Sequence, residues 1–400
     1  MSQLDKQSIL NKLQKDLDVL KSPEGYLYAG VPTKFMGLFG RDSLISGWQL
    51  LDYDSSFAKQ ALLSLAEIQG RKIDLKTGEE PGKIPHEFYS KNVPESWFFN
   101  EKNGIKWLEK EKPVYFSVDS TPLFLMVAGK YYRRTKDKNL IRRLKPTLEG
   151  AINWIVSYGI INGFLRYGGT NPEEGLTSQS WKDGIGLTLN NQKGPVAIVE
   201  VQGYTFQAAE EIKELAKVFG PSKITDKFVE SVQKLKKQFN EKFWMEKQSF
   251  YCLGIDGNDS QIKSITSNPG QLLFTGILDK ERISQVVDRI FQKDMWTPYG
   301  IRTHSTLEPD FDPLSYQRGS VWPHDNWIIA QGLIKEGYKK EAKKVKEALF
   351  SAYQALGFLP EFYGVALDNQ ITFDDDNLED KPVTIQAWSV GAMINFLTRK

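Results

Sequence analysis

Apolar residues recur at spacings of three and four in segment after segment of this 400-residue chain, and that periodicity constrains the fold more than any other feature. Leu140, Leu144, Leu148, Ala151, Ile152 and Ile155 form one series; Phe206, Ala209, Ile212, Leu215, Ala216 and Phe219 form another. The spacing predicts twelve helices, near 3–20, 42–52, 55–69, 119–135, 138–158, 201–219, 222–243, 269–279, 281–293, 324–336, 338–355 and 383–398. Short aromatic and β-branched pieces, such as SFYCLGI from Ser249, read as hairpins on loops. No Pro, Gly and Ser-rich linker interrupts the series, so residues 1–400 are expected to form a single domain.

The links alternate. Those after the even-numbered helices are short, as at DYD (52–54), TKD (135–137) and GPS (220–222), whereas those entering the even-numbered helices are long. If odd helices form an outer ring and even helices an inner one, every long loop emerges at one end, where function gathers above a rigid scaffold. A helical repeat array binding a protein is the alternative, but no fixed-period similarity supports it.

Composition narrows the partners. Fifty-two basic against fifty acidic residues leave a net charge of +2, too weak a field to suggest nucleic acid or an anionic membrane. Lys-rich stretches such as KKEAKKVKEA from Lys339 alternate with apolar residues and read as solvated helix faces. Cys252 is the only cysteine, which excludes an intrachain disulfide. The charged N-terminus lacks a signal-peptide pattern and no stretch approaches a membrane span, so a cytoplasmic protein is expected. Nothing in the sequence fixes an oligomeric state.

The even-numbered helices are entered by GLFGRDSLIS (37–46), YFSVDSTPLF (115–124), VEVQGYTF (199–206), SNPGQLLF (267–274), GSVWPHDNW (319–327) and VTIQAWSVG (383–391). Two long links carry GLTSQSWKDG (175–184) and GFLPEFYG (357–364). His86, His304 and His324 lack ligand spacing, the DDD run at 374–376 lacks a calcium-loop pattern, and no phosphate-binding glycine loop occurs. No metal or cofactor is expected.

These motifs, from about Phe35 to Trp388, resemble the catalytic region of the bacterial amylo-α-1,6-glucosidase or glycogen-debranching-like family, related to glucoamylases and processing α-glucosidases. The resemblance implies an all-α fold, an (α/α)6 barrel with small β-hairpins on its loops, and inverting, exo-acting release of glucose from an α-glucosidic bond. Longer relatives carry a β-rich domain before the barrel, whereas this chain begins almost directly with its first helix, so a different substrate reach is expected. The substrate is then an oligosaccharide or a small α-glucoside, such as a disaccharide or a glucosylated compatible solute. A catalytically silent carbohydrate-binding barrel is the alternative of another class.

Glycoside hydrolysis needs one protonated carboxyl to donate to the leaving oxygen and one ionised carboxylate to activate water. Asp183, beside Trp181, is the expected general acid, since desolvation by aromatic surface would raise its pKa. Glu361, whose loop is fixed by Pro360, is the expected general base, and the family's acid and base lie in the corresponding loops. A carboxyl separation of roughly 6.5 to 9.5 Å would leave room for water. Arg41 and Asp42 match a pair that holds the terminal glucose in related glucoamylases, and Arg41 is expected at the rim, an Arg-Asp cap on its helix being the alternative. Trp181, Trp322 and Trp388 offer faces for sugar rings, with His324 and Asp325 beside them. Glu87, Asp119, Glu200 and Gln202 are further candidates for hydroxyl recognition at the mouth.

Overall fold

The computed structural model describes every residue except 1, 2, 33, 96, 97, 99–107, 169–175, 177, 184–191 and 400, so parts of the 175–184 motif lie outside it. Eleven α-helices occur among the described residues: α1 (Gln3–Leu20), α2 (Gly40–Leu50), α3 (Ser56–Glu67), α4 (Ser120–Thr135), α5 (Lys138–Trp154), α6 (Val199–Phe219), α7 (Lys223–Lys242), α8 (Lys280–Ile290), α9 (Pro323–Lys335), α10 (Lys339–Leu356) and α11 (Ala387–Thr398). The segment expected as a helix over 269–279 is instead a 3-10 helix, Asn268–Phe274. Pro269 starts it, and Gly276 at φ 83° turns the chain away.

The helices divide by burial pattern. In α7, Phe228, Val232, Leu235 and Phe239 make one buried stripe on a mostly charged helix, as expected of an outer element. α5 is similar, with Leu140, Leu144, Leu148 and Ala151 inward and Asp137 capping the Leu140 amide; it ends in a π-helical turn, Ile155–Gly159. In α2 and α9 nearly every residue is buried, polar ones included.

These enclosed elements pack in a closed sequence. α2 lies on α4, α4 on α6, α6 on the 3-10 helix, that helix on α9, α9 on α11, and α11 again on α2. The amphipathic helices back them from outside: α3 on α2, α5 on α4 and α6, α7 on α6, α8 on the 3-10 helix, α10 on α9 and α1 on α11. The inner elements approach closely through glycine. A Cβ on Gly203 would stand 2.6 Å from Leu272, and one on Gly332 2.4 Å from Leu273.

Two-residue strands tie down the long links. Gly30–Val31 pairs with Ile385–Gln386, and Trp244–Met245 with Phe250–Tyr251. Gly254–Ile255, at the end of the SFYCLGI run, is the centre of a three-stranded patch rather than part of a hairpin alone. Among the described residues no helix is long and apolar enough to cross a membrane.

Candidate active site

The first turns of the inner elements meet around one opening. Arg41 at the start of α2 reaches Asp119 before α4; Asn268 donates to Glu200 at the start of α6; Gln271 donates to Asp325 at the start of α9; and His324 stacks on Trp388 at the start of α11, 3.8 Å between ring centres. Gln386, just before α11, reaches back to Asp42 at 3.4 Å.

Asp183 and Glu361 enter this opening on separate loops. Asp183 is one-quarter exposed, and Glu361 is buried. Gln317 donates through Nε2 to Asp183 Oδ1 at 3.4 Å and to the Trp181 carbonyl at 2.6 Å. Its neighbour Tyr316 donates its hydroxyl to Glu361 Oε1 at 2.7 Å, and the Val383 amide donates to Oε2 at 3.2 Å. Two consecutive residues thus each hold one of the two carboxyls. The sequence reading missed both, which lie just before the GSVWPHDNW motif; a Tyr-Gln step has nothing in its composition to mark it.

Burial governs the electrostatics. It raises Asp183, opposed by the Arg41 guanidinium, as expected for an acid. It also raises Glu361, to about 8, against the Lys34 charge and the Tyr316 hydrogen bond; no shift of that kind was expected for the base. Asp42 and Glu200 are pushed to about 7 by the same desolvation, and Asp325 upwards. His324 is driven well down and stays neutral. Lys182, enclosed between Asp325 and Glu200 and donating to the Thr303 carbonyl, is lowered to about 7 by burial. Nothing in the sequence marks this lysine, since a loop lysine is ordinarily exposed whereas Lys182 is fully buried.

Several expectations need correction. Arg41 is buried rather than at the rim. It does not cap its helix with Asp42: Nε and Nη2 grip Asp119 at 2.6 and 3.2 Å, and Nη1 lies 3.7 Å from Asp183 Oδ2. Asp119 accepts from Arg41 and from the Ser117 hydroxyl. Gln202 is committed to backbone, accepting from Leu165 N and donating to the Leu165 and Ile198 carbonyls. One face of Trp322 is covered by Phe362, stacked at 5.3 Å, and its indole donates to the Tyr316 carbonyl. Trp181 and Trp388 are buried around His324, with their indole nitrogens and both His324 nitrogens lacking hydrogen-bond partners. Glu87, buried, accepts from the Tyr89 hydroxyl.

Residues 170–363, the stretch bearing Asp183, Tyr316, Gln317 and Glu361, match the mannosylglycerate hydrolase MGH1-like glycoside hydrolase domain. That stretch, just under half of the chain, is similar to the mannosylglycerate hydrolase-like glycoside hydrolases. The resemblance is thus to mannosylglycerate hydrolases and not specifically to debranching enzymes. A mannosylglycerate hydrolase of Rubrobacter radiotolerans is 26% identical over 39% of this chain, and the mannosylglycerate hydrolase MGH1 of Selaginella moellendorffii is 31% identical over 23% of it. The matches span 36% and 18% of those two proteins. The fold is similar to the mannosylglycerate hydrolase of glycoside hydrolase family 63 from Thermus thermophilus, solved with Tris and D-glycerate. The likeness has a TM-score of 0.73 and 17% identity, and covers 98% of this chain and all of that one.

Proposed function

We propose that this chain hydrolyses, with inversion, a small hexoside whose aglycone is a short hydroxy acid, with Asp183 as general acid and Glu361 as general base. The observation that carries the reading is the Tyr316–Gln317 step, whose two side chains each hold one carboxyl from a separate loop, Glu361 buried and Asp183 partly exposed. Each carboxyl has its own donor, which favours separate acid and base roles over a proton-sharing pair. The circle of inner elements backed by outer helices supports an (α/α)6 barrel, built from the whole chain as one domain.

In this mechanism Asp183 gives its proton to the glycosidic oxygen as the bond to the anomeric carbon breaks. Glu361, in the ionised form that predominates above about pH 8, takes a proton from a water that attacks that carbon from the opposite face. Arg41, clamped by Asp119, sets a fixed positive charge against Asp183 and limits the rise in its pKa. Glu200 Oε1 and the unpartnered nitrogens of His324, Trp181 and Trp388 are available to sugar hydroxyls. The hydroxy-acid aglycone is supported by the relatives, which are named for mannosylglycerate, and by the D-glycerate in the similar Thermus structure.

The test is a substrate panel of mannosylglycerate, glucosylglycerate, maltose and isomaltose, with free hexose measured. Turnover of one of the two glycerates, in preference to both disaccharides, is expected. Turnover of the disaccharides alone, or of nothing, overturns the reading.

A further inference from the structure

Two stretches left unused by this mechanism meet beside Glu361. The turn at 34–35 folds back over the Gly30–Val31 pairing, where the Gly30 amide donates to the Phe35 carbonyl at 3.1 Å. Residues 374–381 run acidic towards the partner strand of the same pairing. Lys34 Nζ and Asp380 Oδ1 join the two at 2.5 Å, with side chains 21% and 44% exposed. The acidic stretch is anchored again by Glu379, which accepts from the Tyr316 amide at 2.9 Å and pairs with Arg318 at 3.2 Å. Both members of the first pair act on Glu361: Lys34 favours its ionised form and Asp380 opposes it.

An acidic aglycone would bring a carboxylate towards carboxyls that already gather here: Asp42 and Asp183 near Arg41, Glu200 and Asp325 near Lys182, and Glu361 on Tyr316. Such a group needs a cation that can change partners. Arg41 cannot, since its guanidinium is locked on Asp119 from a fully enclosed position. Lys182 has no exposed surface. Lys34 is partly accessible, and the partner it would release is a nearly half-exposed carboxylate that water can solvate.

We propose that Lys34 exchanges Asp380 for the carboxylate of the aglycone, and so selects acidic over neutral glycosides at this site. The inference rests on the functional reading above. It makes the two halves of one ion pair behave oppositely: Lys34 attracts the substrate and Asp380 competes with it. A pair that merely holds two loops together would lose the same property whichever half was removed.

The experiment measures kcat/KM for a hexosylglycerate and for the same hexose linked to glycerol, and takes their ratio. Lys34→Gln should lower the ratio about tenfold, the size of one partly screened charge-assisted contact. Lys34→Arg should restore most of it, and Asp380→Asn should raise it. An unchanged ratio in Lys34→Gln, or a fall of equal size in both Lys34→Gln and Asp380→Asn, overturns the proposal. If the wild-type protein cleaves neither glycoside, the functional reading fails, and the role of Lys34 is then read from calorimetry with D-glycerate. Binding lost in Lys34→Gln and strengthened in Asp380→Asn upholds the exchange; equal binding by all three proteins overturns it.

Discussion

The two ends of the inner elements differ in the charges their helix turns carry and in how far these are satisfied. Where the helices start, Asp42, Asp119, Glu200 and Asp325 are buried in or beside first turns. Where they end, Arg133 and Arg134 close α4 and Lys335 closes α9. The sign at each end follows the helix dipole, which favours anions at N-termini and cations at C-termini. At the C-terminal end the cations have ordinary work: Lys335 donates to the Phe274 carbonyl at 2.6 Å, Lys236 to that of Gly276 at 2.8 Å, and Arg133 pairs with Glu211 at 2.6 Å. Gln49 and Gln331 are the exceptions there, with unpartnered amide atoms. At the N-terminal end the groups left unpartnered are those that chemistry on a sugar would use. One end is organised for stability, the other for binding at some cost to stability.

The largest effect that would sharpen this contrast is on rate. Asp183→Asn and Glu361→Gln should each lower kcat by about a thousandfold or more, the upper range for acid–base groups, without lowering Tm. A parallel loss of Tm would mean that these carboxyls hold the fold, and the contrast between the ends would fail.

Removing one arginine from each end comes next. Arg41→Ala leaves Asp119 enclosed without its bidentate partner and should cost about 3 to 5 kcal/mol, read by denaturant unfolding. Arg133→Ala should cost less than about 1 kcal/mol. Its side chain is 52% exposed, and Glu211 keeps the Gln207 amide at 2.8 Å. Equal costs would erase the distinction.

A smaller effect lies in the pH dependence of stability. Burial raises the Glu361 carboxyl from an ordinary 4.5 to about 8. Between these values the folded state holds a proton that the unfolded state has lost, so stability falls as pH rises. The contribution is intact below about 4.5 and gone above about 8. Glu361→Gln should therefore make the decline in Tm over that window shallower, though Asp42 and Glu200, raised in the same sense, will keep it from vanishing. An unchanged slope would show that Glu361 is not desolvated as described.

What the sequence disclosed follows from which forces act locally. Outer helices such as α7 announce themselves by a single apolar stripe, and the elements that the long links enter are the ones that pack on one another in sequence. The 3-10 helix did not show, because Pro269, Gly270 and Gly276 oppose an α-helix that the apolar spacing alone suggested. The two carboxyl-bearing loops stood out as long links with a carboxylate beside Trp181 and after Pro360, and the family resemblance points to the same pair. Arg41 was misplaced because a charged residue at a helix start ordinarily faces solvent, whereas here the whole first turn of α2 is buried. Gln202 was misread for a related reason: its amide bonds two carbonyls and an amide brought close only by the fold.

The central claim, that Asp183 and Glu361 work from opposite sides of one sugar ring with water between, is tested most directly by the configuration of the first sugar released. Proton NMR of the anomeric region, recorded in the first minutes of hydrolysis, separates the two anomers before mutarotation mixes them. The free hexose should appear with the anomeric configuration opposite to that of the substrate. Release with the same configuration would contradict the claim, placing a nucleophile where Glu361 is assigned as base.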